Sequence, residues 1–218
     1  MLSRRRRFLT GAGSLLAAAS PLGAIRQTLA DEAKPVRPGM RRVSGNVWIN
    51  DRKAQEGSLV SAGDTVTTAA DAEAVYVIGK DAFLQRADSQ VHFGMLAGQF
   101  FRMLSGRLLS VFGPGEKMLQ VPTATIGIRG TACYLEAARE RTYFCLCYGT
   151  ADITLTDHPT QTKRITTQHH DQPMMLYAHV GKAIGMEEAA VINHWDAELV
   201  MLEALQGRQP PFGSQERY

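Results

Sequence analysis

The sequence predicts a mainly β fold, a β-sandwich or β-roll of short strands with one amphipathic helix near the C-terminus. Three observations carry this prediction. Short runs rich in β-branched and aromatic residues recur between turn residues from position 42 to position 177. No helical pattern separates these runs, which argues against a parallel α/β sheet. Residues 187–206 repeat apolar side chains at intervals of three or four over about twenty positions, as a helix does.

The first thirty residues are typical of a signal peptide rather than of a fold. A basic stretch is followed by a short apolar stretch and then by small residues around Ala30. Arg5 and Arg6 begin an Arg-Arg-x-Phe-Leu motif, which is typical of the twin-arginine export route. The apolar stretch is short and interrupted by glycines and Pro21, so it is a poor membrane span. We expect cleavage near Ala30 and a periplasmic protein with no membrane span in the mature chain.

Removal of this segment reverses the sign of the net charge. The whole chain of 218 residues has 24 basic and 21 acidic residues. The segment contains five arginines and no acid, so the mature chain has 19 basic and 21 acidic residues, a formal net charge of −2. Nucleic acid is therefore not an expected partner. The sequence predicts a flexible leader over 31–41, a β domain over 42–182, and a C-terminal helix and tail over 183–218.

The β domain is predicted as a series of short strands. Phe100 to Phe112 also fits helical spacing, but Gly106 in its middle and the Val111-Phe112 ending favour strand. The other predicted strands are 43–49, 65–68, 73–79, 82–86, 89–93, 118–121, 124–128, 132–137, 143–148, 151–155 and 174–177.

The C-terminal helix is predicted from an apolar stripe, and Gly207 ends it. Two interpretations are open: the helix covers an edge or face of the β domain, or it binds a partner. The stripe consists of Ile192, Trp195, Leu199, Leu202 and Leu205.

Three cysteines and a pair of histidines form the candidate site. Cys145 and Cys147 are two residues apart on a strand, so their thiols share a face. A hairpin centred near Glu140 would place Cys133 opposite Cys147 on that face, but a slip of one residue would move Cys133 to the other face. His169 and His170 lie in a polar loop that precedes the strand at Met174.

Three interpretations of the cysteines remain open. Cys133, Cys145 and Cys147 with His169 or His170 would bind zinc or another soft metal. A Cys133–Cys147 disulfide would suit an oxidising compartment and leave one thiol over. Alternatively, all three are buried thiols that act as small apolar groups. A catalytic cysteine has the least support, and no nucleophile elbow, phosphate loop or carboxylate pair is found, so we do not expect an enzyme.

Residues 121–131 carry the most specific motif of the chain. Thr123, Thr125, Gly127, Arg129, Gly130 and Thr131 fall within a Val-Pro-Thr-Ala-Thr-Ile-Gly-Ile-Arg-Gly-Thr segment. This segment resembles the signature of FecR-domain proteins, and the resemblance covers roughly residues 42–156. We interpret these residues as determinants of the fold, with the two glycines suited to a bulge or a close backbone approach. Arg129 is expected to contact a neighbouring acid or carbonyl.

The resemblance implies a non-catalytic periplasmic module that senses a ligand or binds another envelope protein. The best-known members of that family relay the state of an outer-membrane receptor to a sigma factor. Unlike them, this chain is expected to lack a cytoplasmic anti-sigma segment and a membrane span. The alternative function, from a different class, is a metal-binding or redox protein that uses the cysteine and histidine cluster.

Overall fold

The computed structural model describes residues 37–94, 99–178 and 185–213, and the predicted signal peptide, with Arg5, Arg6 and Ala30, lies outside them. The described residues form a mostly β structure with one short helix. The strands are β1 Gly39–Ser44, β2 Val47–Ile49, β3 Arg52–Lys53, β4 Thr65–Thr68, β5 Glu73–Ile78, β6 Asp81–Gln85, β7 Ser89–Phe93, β8 Gln99–Val111, β9 Glu116–Gln120, β10 Ala124–Ala137, β11 Arg141–Leu155, β12 Thr162–Thr167, β13 Met174–Tyr177 and β14 Met186–Glu188, and the helix is α1 Asp196–Ala204.

The predicted strands are largely present, and the prediction of a mainly β fold is confirmed. The segment after Phe100 is strand, as Gly106 suggested. Gly106 has a φ of 97°, and a Cβ there would collide with Ser89 of β7. Two pairs of predicted strands are continuous in the structure, as β10 and β11. The first strand begins at Gly39, and Met40 is buried, so ordered structure starts within the predicted leader.

The strands form one hydrogen-bonded sheet in which the long strands change neighbours along their length. The first half of β10 pairs with β9 and its second half pairs with β8. Likewise, β11 pairs with β13 near its start and with β12 near its end. All strand pairs are antiparallel except β8 and β9. The bend that this requires in β10 occurs at a bulge between Arg129 and Ala132.

Two apolar clusters lie on opposite faces of the central strands. We call the larger one the inner core; it includes Phe83, Phe101, Leu108, Cys133 and Leu146. We call the smaller one the outer core; it includes Leu84, Leu109, Tyr134, Cys145, Cys147, Leu199 and Leu202. Because successive side chains of a strand point to opposite faces, β8, β10 and β11 contribute to both cores.

Helix α1 covers the outer face of the sheet, which confirms the interpretation of it as a cap. It is shorter than predicted: residues 186–188 form strand β14, and Trp195 precedes the helix with 59% of its surface exposed. The buried stripe is Leu199, Leu202 and Leu205. An ion pair between Arg86 and Glu198, at 2.8 Å, fixes the start of the helix to the end of β6.

The hairpin of β10 and β11 has a register one residue away from the predicted one. Ala137 pairs with Thr142, and Ala138 N–H donates to the Arg141 carbonyl at 2.9 Å, so the hairpin has a two-residue tip. Cys133 therefore pairs with Leu146 instead of Cys147. The prediction that Cys133 shares a face with the other cysteines is wrong, because its side chain lies in the inner core.

The residues of the signature segment lie in and around β10. Arg129 contacts Glu116 at 2.7 Å across the strand pair, as expected. Gly130 adopts a φ of 51° at the bulge. Gly127 shows no close backbone approach, since an added Cβ would lie 3.9 Å from its nearest neighbour. Thr123 donates its hydroxyl to Thr142 at 2.9 Å, Thr131 is fully buried, and Thr125 pairs with Thr154.

Among the described residues, no helix has the length and apolar character that crossing a membrane requires.

Candidate metal centre

Strand β11 presents two thiols to the outer core. Cys145 and Cys147 are both fully buried and lie two residues apart. A bulge follows immediately, because Ala132 pairs with Tyr148 while Cys133 pairs with Leu146. Cys147 therefore has no pairing partner of its own on β10. The bulge turns Cys147 and Tyr148 toward the same face, beneath the C-terminal segment.

The loop between β12 and β13 places His170 beside these thiols. Its backbone N–H donates to the Cys147 carbonyl at 2.9 Å, and its φ of 56° turns the chain inward. The Asp171 carboxylate accepts the Gln168 N–H at 2.7 Å, which closes the turn. The His170 side chain is fully buried. Its Nδ1 lies 3.3 Å from Cys145 Sγ.

The C-terminal segment supplies a fourth side chain, His194, two residues before α1. Its ring stacks on Tyr134 with 4.6 Å between centroids and is 2% exposed. Nδ1 lies 2.6 Å from the Ile192 carbonyl, which can only accept, so Nδ1 carries the hydrogen. The other ring nitrogen, Nε2, lies 3.0 Å from His170 Nδ1.

The four ligand-type atoms converge on one point. The sulfurs of Cys145 and Cys147 and the facing nitrogens of His170 and His194 all lie within 4.8 Å of one another. Tetrahedral coordination with Zn–S near 2.3 Å and Zn–N near 2.0 Å separates ligand atoms by roughly 3.3–3.8 Å. The observed spread is therefore close to that of a four-coordinate zinc site, and small side-chain shifts would centre an ion.

Asp196, the first residue of α1, contacts the Nε2 atoms of His169 and His170, on the side of the His170 ring away from the thiols. Its carboxylate accepts from His170 Nε2 at 3.1 Å and from His169 Nε2 at 2.9 Å. It is fully buried. The His169 ring stacks on Phe212 at 4.1 Å between centroids, which covers the outside of the pair. His170 thus donates from Nε2, and its Nδ1 faces the thiols and His194.

The electrostatics of the site favour an anionic sulfur at Cys145. The pKa of Cys145 is lowered to about 4, chiefly by a hydrogen bond from the Cys147 thiol; burial opposes this, and His170 and His194 add to the lowering. The pKa of Cys147 is raised well above its usual value by burial and by Cys145. Burial alone would lower the pKa of His170, but Cys145 and Asp196 raise it.

The structure brings together a set of residues that differs from the predicted one. Cys145, Cys147 and His170 were predicted as ligands and lie together. His169 contacts Asp196 instead, and Cys133 lies on the opposite face. The alternative Cys133–Cys147 disulfide is absent: all three cysteines are free thiols, and these two side chains lie on opposite faces of the sheet. His194 was missed, because nothing in the sequence indicates that a residue 24 positions after His170 returns to it.

The same groups have the connectivity of a cysteine-hydrolase triad, with Cys145 next to His170 and His170 next to Asp196. All three are at most 2% exposed. Cys145 lies under the C-terminal segment, so no substrate carbonyl can reach its sulfur in this conformation. The second nitrogen that faces His170, from His194, has no role in such a triad.

Comparisons with known proteins add little to this geometry. No protein-family model and no curated protein matches the chain. Among solved structures, two crystal structures from Parabacteroides distasonis ATCC 8503, each described as a "putative anti-sigma factor", at 1.65 and 2.50 Å resolution, are similar with a TM-score of 0.47 and 9% identity. The similarity spans 57% of this chain and 58% of that chain. At this level it carries no argument about function.

Proposed function

We propose that this chain is a non-catalytic, exported FecR-like module that holds one zinc-class metal ion between Cys145, Cys147, His170 and His194. One observation carries the metal proposal. Two imidazole nitrogens face each other at 3.0 Å while the other nitrogen of each ring is committed to a carbonyl or a carboxylate. Two lone pairs in contact repel, so a proton on one ring or a cation between the two rings must lie there, and the adjacent sulfurs complete a soft, four-atom set that suits a cation.

The ligand set favours a structural role over a catalytic one. Structural zinc sites use four protein ligands, whereas catalytic sites keep one position open for water or substrate. Here all four side chains come from the protein and all are buried. The ligands also have the outer hydrogen bonds that metal-bound histidines usually make, through the Ile192 carbonyl and Asp196.

The test is metal analysis of matched cysteine variants. The exported protein, purified without chelator, should contain one equivalent of zinc or a similar ion per chain. Cys145→Ala should lose it, whereas Cys133→Ala, an equally buried cysteine on the other face, should keep it. A matched histidine pair is His194→Gln, which should lose the ion, and His92→Gln, which should not. His92 lies elsewhere, with Nδ1 3.0 Å from Thr65 Oγ1.

Cobalt gives an independent readout. Cobalt titrated into the metal-free protein should produce the charge-transfer absorption of thiolate–cobalt bonds and the visible bands of tetrahedral cobalt. Protein that folds, contains no metal and takes up no cobalt would contradict the proposal. So would acylation of Cys145 by an activated ester in the folded protein, with release of the alcohol, because that result would favour the triad.

We further propose, from the FecR-like signature, that the module is periplasmic and binds another envelope protein. The exposed apolar side chains Trp195 and Val200 on and before α1 suggest where contact could occur. A photoreactive residue in place of Trp195 should crosslink to one envelope protein in intact cells. The same residue in place of Glu116, which is exposed at β9 beside Arg129, is the control. Equal crosslinking at both positions would contradict the proposed surface.

A further inference from the structure

Asp196 is built into the site in a way that the four-ligand proposal does not itself require. Its carboxylate is fully buried and contacts the far nitrogens of two histidines, at 3.1 Å from His170 Nε2 and 2.9 Å from His169 Nε2. Burying a carboxylate is costly unless strong hydrogen bonds compensate. A residue that carries this cost at the edge of the site needs an explanation.

Neither metal ligation nor charge balance gives that explanation. The carboxylate faces the Nε2 side of the His170 ring, whereas the convergent sulfurs lie on its Nδ1 side. A divalent ion with two thiolates is already neutral, so it needs no further anion. What Asp196 does supply is a fixed acceptor for the Nε2 hydrogen, which leaves the Nδ1 lone pair directed at the ion.

We propose that Asp196, supported by His169, is the positioning residue that orients His170 for the metal and thereby ties metal binding to the start of helix α1. This inference rests on the proposed function. The carboxylate is at the first position of α1, where the helix dipole favours a negative charge. Glu198, the other acid of the first turn, contacts Arg86 instead and does not face the site.

The test compares Asp196 with Asp152, an exposed carboxylate on β11 that pairs with Arg164, and uses cobalt as the probe. Asp196→Asn keeps the shape of the side chain but weakens the hydrogen bond to His170. It should lower cobalt affinity by about 10–100-fold, the usual effect of losing such an outer partner. Asp152→Asn should leave the affinity within about twofold. Affinities are measured by competition with a chromophoric chelator, after circular dichroism has shown that each variant folds.

A pair of double variants separates positioning from a general structural effect. If Asp196 acts through His170, Asp196→Asn should have no further effect on cobalt affinity in a His170→Ala background. It should keep its effect in a His194→Ala background, where His170 is still present. A merely structural role would lower the affinity in both backgrounds equally, and that result would overturn the inference.

A second variant, His169→Phe, tests the same inference if Asp196→Asn does not fold. His169→Phe retains a ring that stacks on Phe212 but removes the donor to Asp196. It should lower cobalt affinity in the same direction, by a smaller factor. Unchanged affinity in both Asp196→Asn and His169→Phe would overturn the inference and leave the metal site intact. A wild-type protein that binds no cobalt would instead contradict the proposed function.

Discussion

At the scale of single residues, two glycines of the signature segment differ in what they do. Gly130 adopts a φ of 51° at the bulge that bends β10, in open space. Gly127 has ordinary strand geometry, with its nearest neighbour 3.9 Å from an added Cβ. The spacing of glycines in a motif therefore does not tell which glycine the backbone needs; the dihedral angle does.

We expect Gly130→Ala to cost about 1–2 kcal/mol of unfolding free energy, because an L-residue in the left-handed region clashes with its own backbone. Gly127→Ala should change stability little or raise it slightly, since a strand glycine carries an entropic cost. Urea unfolding of both variants measures the difference. Equal destabilisation of the two would contradict this account, and Gly130→Asn, which tolerates that region better, should be intermediate.

At the scale of elements, α1 owes its position to packing more than to its own length. It has nine residues, too few to be stable alone. Leu199 and Leu202 are fully buried against the outer face of the sheet, and the Arg86–Glu198 ion pair fixes the first turn. The helix packs over β6 and β8 and begins two residues after His194, so the position of His194 in the metal centre depends on its docking.

Leu202→Ala should therefore destabilise the protein by about 2–5 kcal/mol, the usual cost of emptying a buried leucine site. Val200→Ala, on the same helix but 36% exposed, should cost well under 1 kcal/mol. Chemical denaturation followed by tryptophan fluorescence measures both. A similar loss for the two variants would show that α1 is not packed on the sheet as described.

At the scale of the whole molecule, the proposed ion joins parts of the chain that are distant in sequence. Cys145 and Cys147 are on a central strand, His170 is in a loop, and His194 is in the C-terminal segment. A ligand that binds only the folded state stabilises it by mass action. The ion should thus stabilise the complete domain, and not only the segment near α1.

Chelation should lower the melting temperature of the wild-type protein, and added zinc should restore it. At free zinc 100 times the dissociation constant the gain is about 2.7 kcal/mol. Cys145→Ala should melt at a temperature that neither chelator nor zinc changes, while Cys133→Ala should respond as wild type does. A wild-type melting temperature that is insensitive to both treatments would contradict the proposed metal site.

Export can be tested with the arginines of the N-terminal segment. The double variant Arg5→Lys, Arg6→Lys should remain unprocessed in the cytoplasm if the twin-arginine route is used. Arg4→Lys, Arg7→Lys keeps the total charge and lies outside the paired arginines, so it should still be exported and cleaved near Ala30. Cell fractionation measures both. Normal export of the first variant would favour the general secretory route.

Much of the fold could be predicted from local pattern. Alternating side chains located strands such as Thr65–Thr68 and Ser89–Phe93 to the residue, because a half-buried strand has a period of two. The sequence pattern predicts a helix from residue 187, but the helix of the structure begins at Asp196. Met186–Glu188 is instead a strand, since pairing with β13 outweighs a weak helical pattern.

The metal centre could be predicted only in part. Cys145 and Cys147 share a face because they are two residues apart on one strand, and this follows from the sequence alone. Cys133 could not be placed, because one residue at the hairpin tip decides its face. His194 could not be found, because its approach to His170 depends on how the C-terminal segment crosses the outer face.

The sequence by itself thus determined the mainly β class, the C-terminal helix and the paired thiols, and it predicts an export signal. These features are local: they depend on composition, on residue period and on short spacing. Only the tertiary structure decided which cysteine lies away from the candidate metal centre, which histidines face its sulfurs and which carboxylate accepts a hydrogen bond from His170. These positions depend on strand register and on how distant segments cross the sheet. A register shift of one residue moves a side chain to the other face, and no local sequence pattern indicates which register forms.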